Sequence, residues 1–237
     1  MEFIDNVNKE EYEKFVYNHP TKSHFMQSYA WGEVSRAKGF QPHYIGLKEN
    51  DELVATALIL EKKLVSKYCY FYIPRGFVTD FENKQFVLEM TKALKTYGKK
   101  HHAIFIAIDP DIPLQSLDKD GNVIKDGKDH YWLVDYLKEI GYHHHGFNQN
   151  FENREPRYTF RLDLTPDIEE IRKQTHPTTR NIINRGNPYH LNCFLGTDEN
   201  IADFYTTMQE TAKREKLTIP PIEYYQTFYH ILHNFNM

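Results

Sequence analysis

The 237-residue sequence predicts an α/β (α+β) fold in which a mixed sheet is flanked by helices. Three observations carry this. A cluster of strand-like runs from Pro42 to Ile73 is followed by a strong amphipathic helix, Asn83 to Gly98, and then by the compact apolar run Ala103 to Ile108. Helix, strand and helix patterns recur after residue 152 without a second cluster of strands. The domains expected are therefore 1–152, complete, and 153–237, incomplete, with Asn148 to Glu155 as linker. A half-built sheet exposes apolar edges, so a fragment or truncated chain is expected.

Taken in order, Tyr12, Phe15 and Val16 share one face of a helix from Lys9 to Tyr17, stopped by Asn18-His19-Pro20. A second helix is read between Ser28, a side-chain cap, and Gly39, a left-handed stop. Ala30, Val34 and Ala37 form its apolar stripe; Trp31, Ser35 and Lys38 form a neighbouring one. That second stripe is open to two readings, a solvated surface with Trp31 as partial core or a binding face with an aromatic platform and a basic edge. Strands follow at Pro42–Lys48, Leu53–Leu60 and Lys67–Ile73, with Glu49-Asn50-Asp51 as a hairpin turn and Pro74-Arg75-Gly76 as a break. The run Ala103–Ile108 is read as a strand buried on both faces. Helices are expected at Tyr131–Ile140, after Thr165, at Thr178–Arg185, from Asp198 to Arg214 and at Tyr224–Leu232; further strands are expected at Tyr142–Phe147, Tyr158–Leu164 and His190–Leu195.

Composition narrows the function classes. The net charge of -4 gives no general basic field, so no DNA partner is expected, and RNA would need a local patch. Cys69 and Cys193 match no zinc or redox spacing. Met1 to Asn8 does not read as a signal peptide, and no apolar run spans a bilayer, so a cytoplasmic protein is expected. Asp118-Lys119-Asp120-Gly121 lacks the later carboxylates of a calcium loop. His143-His144-His145, on a strand, would point to alternate faces, and His101-His102 is no better supported, so no metal is expected. Nucleophile elbows, Walker loops and dinucleotide fingerprints are absent from the sequence, and no Gly-rich pyrophosphate turn supports acetyl-CoA use. Arg75, Arg157 and Arg214 lie near aromatics; each is either a surface Arg or a phosphate fork.

The ordered series Phe25-Met26-Gln27-Ser28, Trp31-Gly32-Glu33-Val34, Tyr72-Ile73-Pro74-Arg75-Gly76 and Ile106-Ala107-Ile108-Asp109-Pro110 resembles the Fem (FemABX) family of peptidoglycan bridge-forming aminoacyltransferases. The series continues through Pro156-Arg157-Tyr158-Thr159-Phe160-Arg161-Leu162-Asp163-Leu164, Thr179-Arg180-Asn181-Ile182 and Thr211-Ala212-Lys213-Arg214. The resemblance implies acetyltransferase (GNAT)-like subdomains. It also implies transfer of an amino acid from aminoacyl-tRNA to an amine on the stem of a UDP- or lipid-linked muramyl-pentapeptide. Aminoacyl-tRNA would be the co-substrate, no cofactor is expected, and lipid-linked acceptor would bring peripheral contact with the inner membrane face.

On this resemblance Asp109 is the catalytic carboxylate, and Trp31, Ser35, Arg36, Lys38, Arg75, Arg157, Tyr158 and Arg214 bind substrate. Ser35 departs from the family, which commonly carries Lys there, and Phe77 replaces a usual Pro. Ser35→Lys is accordingly expected to tighten precursor binding. Two rivals stand beside this reading: a non-catalytic, precursor-binding relative, and an acetyl-CoA N-acetyltransferase.

Overall fold

The computed structural model describes residues 1–118, 120–147, 162–185 and 194–235. Its first unit comprises Met1–His143 together with Ile201–Met237, and its second comprises His144–Asn200. The expected boundary after residue 152 thus differs from this division, in which the last two helices belong with the N-terminal unit.

The first unit is built on a six-stranded mixed sheet. Its strands are β1 (Glu2–Ile4), β2 (Gln41–Glu49), β3 (Glu52–Lys63), β4 (Cys69–Ile73), β5 (Val78–Thr79) and β6 (Ala103–Ile108), in the order β1-β2-β3-β4-β6 with β5 paired to β3. The β2–β3 hairpin closes through Asn50 and Asp51, both at positive φ (52° and 65°). Two consecutive left-handed residues match the twist of the strands they join, and Asn and Asp tolerate that backbone best after Gly. Helix α3 (Lys84–Lys100) then carries the chain over one face and returns it as β6, parallel to β4. Asn83 caps α3 by accepting from the Gln85 and Phe86 amides at 3.1 and 3.3 Å.

Period-two alternation assigns the strand residues to two cores. Ile45, Leu47, Ala57, Ile59, Phe71 and Ile73 face α3, where Val87, Met90, Leu94 and Tyr97 are buried. Tyr44, Leu58 and Leu60 face the other way, onto Tyr12 and Val16 of α1 (Lys9–Asn18), with Tyr29 and Trp31 of α2 (Tyr29–Ala37) packed beside them. Ser28 caps α2, accepting from the Trp31 amide at 3.1 Å as its sequence position predicts. Within α2, Gly32 is required by proximity: a Cβ there would lie 1.9 Å from Tyr44 Oη. Tyr44 cannot readily retreat, since its ring stacks on Tyr29 with centroids 3.6 Å apart. Gly32→Ala is expected to lose about 1–2 kcal/mol in urea denaturation, overpacking outweighing the roughly 1 kcal/mol that Ala contributes to a helix.

Helices α4 (Tyr131–Glu139), α7 (Ile201–Glu215) and α8 (Ile222–Asn234) complete the unit, with α8 against both α2 and α7. The second unit contains α5 (Ile168–Gln174) and α6 (Pro177–Arg185). The cap of α5 is Asp167, which accepts from the Glu170 amide at 2.8 Å, rather than Thr165.

Two expected strands need correction. Among the described residues β6 is the sheet edge, paired to β4, and Ile104 and Phe105 are exposed; it is not buried on both faces. Residues 142–147 form no strand, since His143, His144 and His145 offer no apolar alternation to bury. The expected linker Asn148–Glu155 and most of the expected strands Tyr158–Leu164 and His190–Leu195 lie outside the described residues; their described ends, 162–164 and 194–195, form no strand.

Candidate active site

The parallel β4–β6 pair ends in two turns that interlock. Asp109, directly after β6, accepts from Tyr72 Oη at 3.0 Å through one carboxylate oxygen and from the Arg75 amide at 2.7 Å through the other. Arg75 is left-handed at φ 59° and Gly76 at φ 71°. The glycine is needed twice over, because a Cβ at position 76 would also meet Pro110 Cα at 3.1 Å. The carboxyl ends of parallel strands are where open α/β sheets present ligand-binding groups, and Asp109 and the Arg75 turn lie at that end of the β4–β6 pair.

Gln27 connects that turn to α2, a role its place in the sequence motif does not reveal. It is fully buried in the 3-10 turn Phe25–Gln27. Its Nε2 donates to the Pro74 carbonyl at 2.6 Å, and its Oε1 accepts from the Leu58 amide at 2.8 Å. Both halves of the amide are therefore committed to backbone groups, one on β3 and one in the turn after β4.

The substrate-binding expectations divide. Trp31 and Lys38 come together: Lys38 Nζ lies 5.1 Å from the Trp31 ring and 5.0 Å from the Tyr224 ring of α8. Phe25 and Phe228 meet Trp31 edge-on at 5.4 and 6.5 Å. The platform is thus an aromatic cradle around one cation. Arg36 pairs with Glu33 at 3.1 Å, and Arg214, exposed at the end of α7, pairs with Glu215 at 2.8 Å. Arg157 and Tyr158 lie outside the described residues.

Ser35 requires a correction. It is 2% exposed, buried on the inward side of α2 beside Val34, while Ala37 is exposed. The inward face is displaced from the Ala30-Val34-Ala37 stripe towards Ser35, which lies about 100° around the helix from Val34. A lysine there would enter the core and not a binding groove. Ser35→Lys is now expected to destabilise the fold by about 2 kcal/mol, read from the urea midpoint, through overpacking and burial of an ammonium group.

Other candidate chemistry resolves on geometry. Cys69 is buried, and burial, helped by the nearby Glu61 charge, pushes its thiol up; it is no activated thiolate. Asp118 accepts from the Asp120 and Asn122 amides at 2.9 and 2.8 Å, so its carboxylate closes its own turn, as expected for a solvated loop. At the opposite end of the sheet, His43, Glu61 and His101 converge from β2, β3 and the end of α3. Three separate elements supply that cluster, so no sequence spacing marks it.

A mixed sheet flanked by helices, with a parallel pair at one side, is a GNAT-like fold. The FemAB family model matches residues 7–235. The chain therefore belongs to the FemAB family. It is 34% identical over 162 residues to aminoacyltransferase FemA of Staphylococcus aureus strain MW2, covering 67% of this chain and 38% of that protein. FemA of the bovine strain RF122 / ET3-1 is 33% identical over 161 residues, with the same shares covered. The matched region thus spans well under half the length of these relatives. The crystal structure of FemX superposes with a TM-score of 0.82 at 24% identity, over 99% of this chain and 55% of that one, and shares its fold.

Proposed function

We propose that this chain carries part or all of an aminoacyltransferase of peptidoglycan synthesis, moving an amino acid from aminoacyl-tRNA to an amine on the stem of a muramyl-pentapeptide. The observation that carries the reading is Asp109, held by Tyr72 and Arg75 at the carboxyl end of β4 and β6 in a chain of this family. In the proposed step the acceptor ammonium gives a proton to the Asp109 carboxylate. The free amine attacks the ester carbonyl, a C–N bond forms, and the tetrahedral intermediate collapses with cleavage of the C–O bond to the terminal ribose. The departing ribose oxygen takes the proton back from Asp109, and the attacking nitrogen releases its remaining excess proton to solvent as the neutral amide forms, so one proton is lost overall. No metal or organic cofactor enters this scheme.

Arg75, Arg157 and Tyr158 are assigned to acceptor phosphate or sugar. Trp31 and Lys38 contribute only if acceptor displaces Tyr224 from Lys38 or stacks on the cradle's rim. Arg36 and Arg214 join only by exchanging their carboxylate partners for phosphate. Charged tRNA as donor places the reaction in the cytoplasm. A UDP-linked or lipid-linked acceptor is compatible with the same amine chemistry, the latter with contact at the inner membrane face. Among the described residues no helix is long and apolar enough to cross a membrane.

The test is incubation with a mixed charged-tRNA pool and UDP-muramyl-pentapeptide, followed by mass spectrometry of the stem. The expected result is a mass increase of one aminoacyl residue on an amine. Binding of the acceptor by calorimetry without transfer from any charged tRNA would replace this reading with that of a binding module. Transfer from acetyl-CoA instead would make it an N-acetyltransferase.

A further inference from the structure

We propose that His43, Glu61 and His101 form a binding site for a zinc-class divalent cation, remote from Asp109. Glu61 Oε2 lies 3.1 Å from His43 Nε2 and 3.3 Å from His101 Nδ1, and all three ligand atoms fall within 4.8 Å of one another. Ligands bonded at about 2.0–2.1 Å around a tetrahedral zinc ion sit roughly 3.3 Å apart, so the first two separations already fit. The third separation, within 4.8 Å, would shorten on metal binding by rotation of an imidazole.

The chemistry of the set is selective. Two imidazoles and one carboxylate suit zinc and its transition-metal neighbours, whereas calcium and magnesium prefer all-oxygen shells. The second layer is also in place: His43 Nδ1 lies 3.0 Å from Tyr97 Oη. A proton on Nδ1 in that bond leaves the Nε2 lone pair directed at the site. The side chains of His43 and Glu61 are 14% and 11% exposed and that of His101 is 27% exposed, so one side stays open to solvent for entry and for a fourth, water ligand.

The site lies at the start of β6 and Asp109 at its end, roughly 17 Å apart along the strand at 3.3 Å per residue. Its role is therefore a cross-link. It ties the first residues of β2, the last residues of β3 and the end of α3, which no covalent bond joins.

The test uses the whole 237-residue chain, freed of metal with a chelator and titrated with zinc chloride alone in a calorimeter. One zinc per chain with a micromolar or tighter Kd is expected, with a rise in Tm on zinc addition. His101→Ala, at a half-buried helix end whose capping contacts are made by backbone, is expected to raise the Kd at least about tenfold; Glu61→Gln is expected to do the same. His144→Ala, a control for binding along the His143–His145 run, should leave the Kd unchanged. The proposal is overturned by no binding at about 100 μM zinc. It is equally overturned if folded His101→Ala keeps the wild-type Kd, or if His144→Ala abolishes binding. If Glu61→Gln does not fold, His101→Ala decides alone.

Discussion

Asp109→Asn is expected to reduce aminoacyl transfer by about 10²–10⁴-fold while shifting folding stability by no more than about 1.5 kcal/mol. The two effects separate because the amide keeps the shape and most of the bonding. Its oxygen still accepts from the Arg75 amide, now 2.7 Å from the carboxylate, and the Tyr72 hydroxyl can rotate to accept from the new NH₂ group. What disappears is the base. Transfer rate and urea midpoint measured on the same preparation check this. Activity within a few-fold of the parent would reduce Asp109 to a turn anchor, and activity falling only in step with the folded fraction would do the same. Asp109→Ala is the contrasting variant: it strips both acceptors and is expected to lose stability as well as turnover.

Gln27→Ala is expected to cost about 3–5 kcal/mol. The side chain is fully buried and satisfies the Pro74 carbonyl and the Leu58 amide, at 2.6 and 2.8 Å. Each buried backbone group left without a partner costs about 1–3 kcal/mol, and the lost volume adds to that. Chemical denaturation monitored by tryptophan fluorescence, to which Trp31 next to this turn contributes, reads the loss. A sharper comparison is Gln27→Glu, which keeps an acceptor for Leu58 but sets a carboxylate oxygen against the Pro74 carbonyl. It should be no better than Ala. A loss below about 1 kcal/mol for both variants would mean that the Pro74 turn is held by other contacts.

The elements legible in the sequence were those whose partners are local. The 3.6 and 2.0 periods of α3, β2, β3 and β4 follow from the side each residue must bury, and the Ser28 cap acts within three residues of itself. Asp109 stands out through the family resemblance together with its place at the end of an apolar strand, since an Asp-Pro there is by itself as often only a turn. Features set by distant chain segments were not readable in this way. Nothing in Ala103–Ile108 says which residues flank it, so its apolar run looked like a central strand, whereas among the described residues it pairs with β4 alone. On α2 the assigned face was off by one position, since Gly32 yields to Tyr44 and turns Ser35 inward. The family motif contains Gln27, but its two bonds reach residues 31 and 47 positions away. His43, Glu61 and His101 are likewise a product of the topology alone.

The Pro74-Arg75-Gly76 turn has a thermodynamic consequence. It is gripped by Gln27 on one carbonyl, by Asp109 on one amide and by Pro110 against a bare Cα. Ordering three loop residues costs about 1–2 kcal/mol each in backbone entropy, and here that loss falls on folding. An arriving acceptor would meet a carboxylate and a guanidinium-bearing turn already set in place. Its association free energy would then go into orienting its own amine, and little of it into arranging the protein.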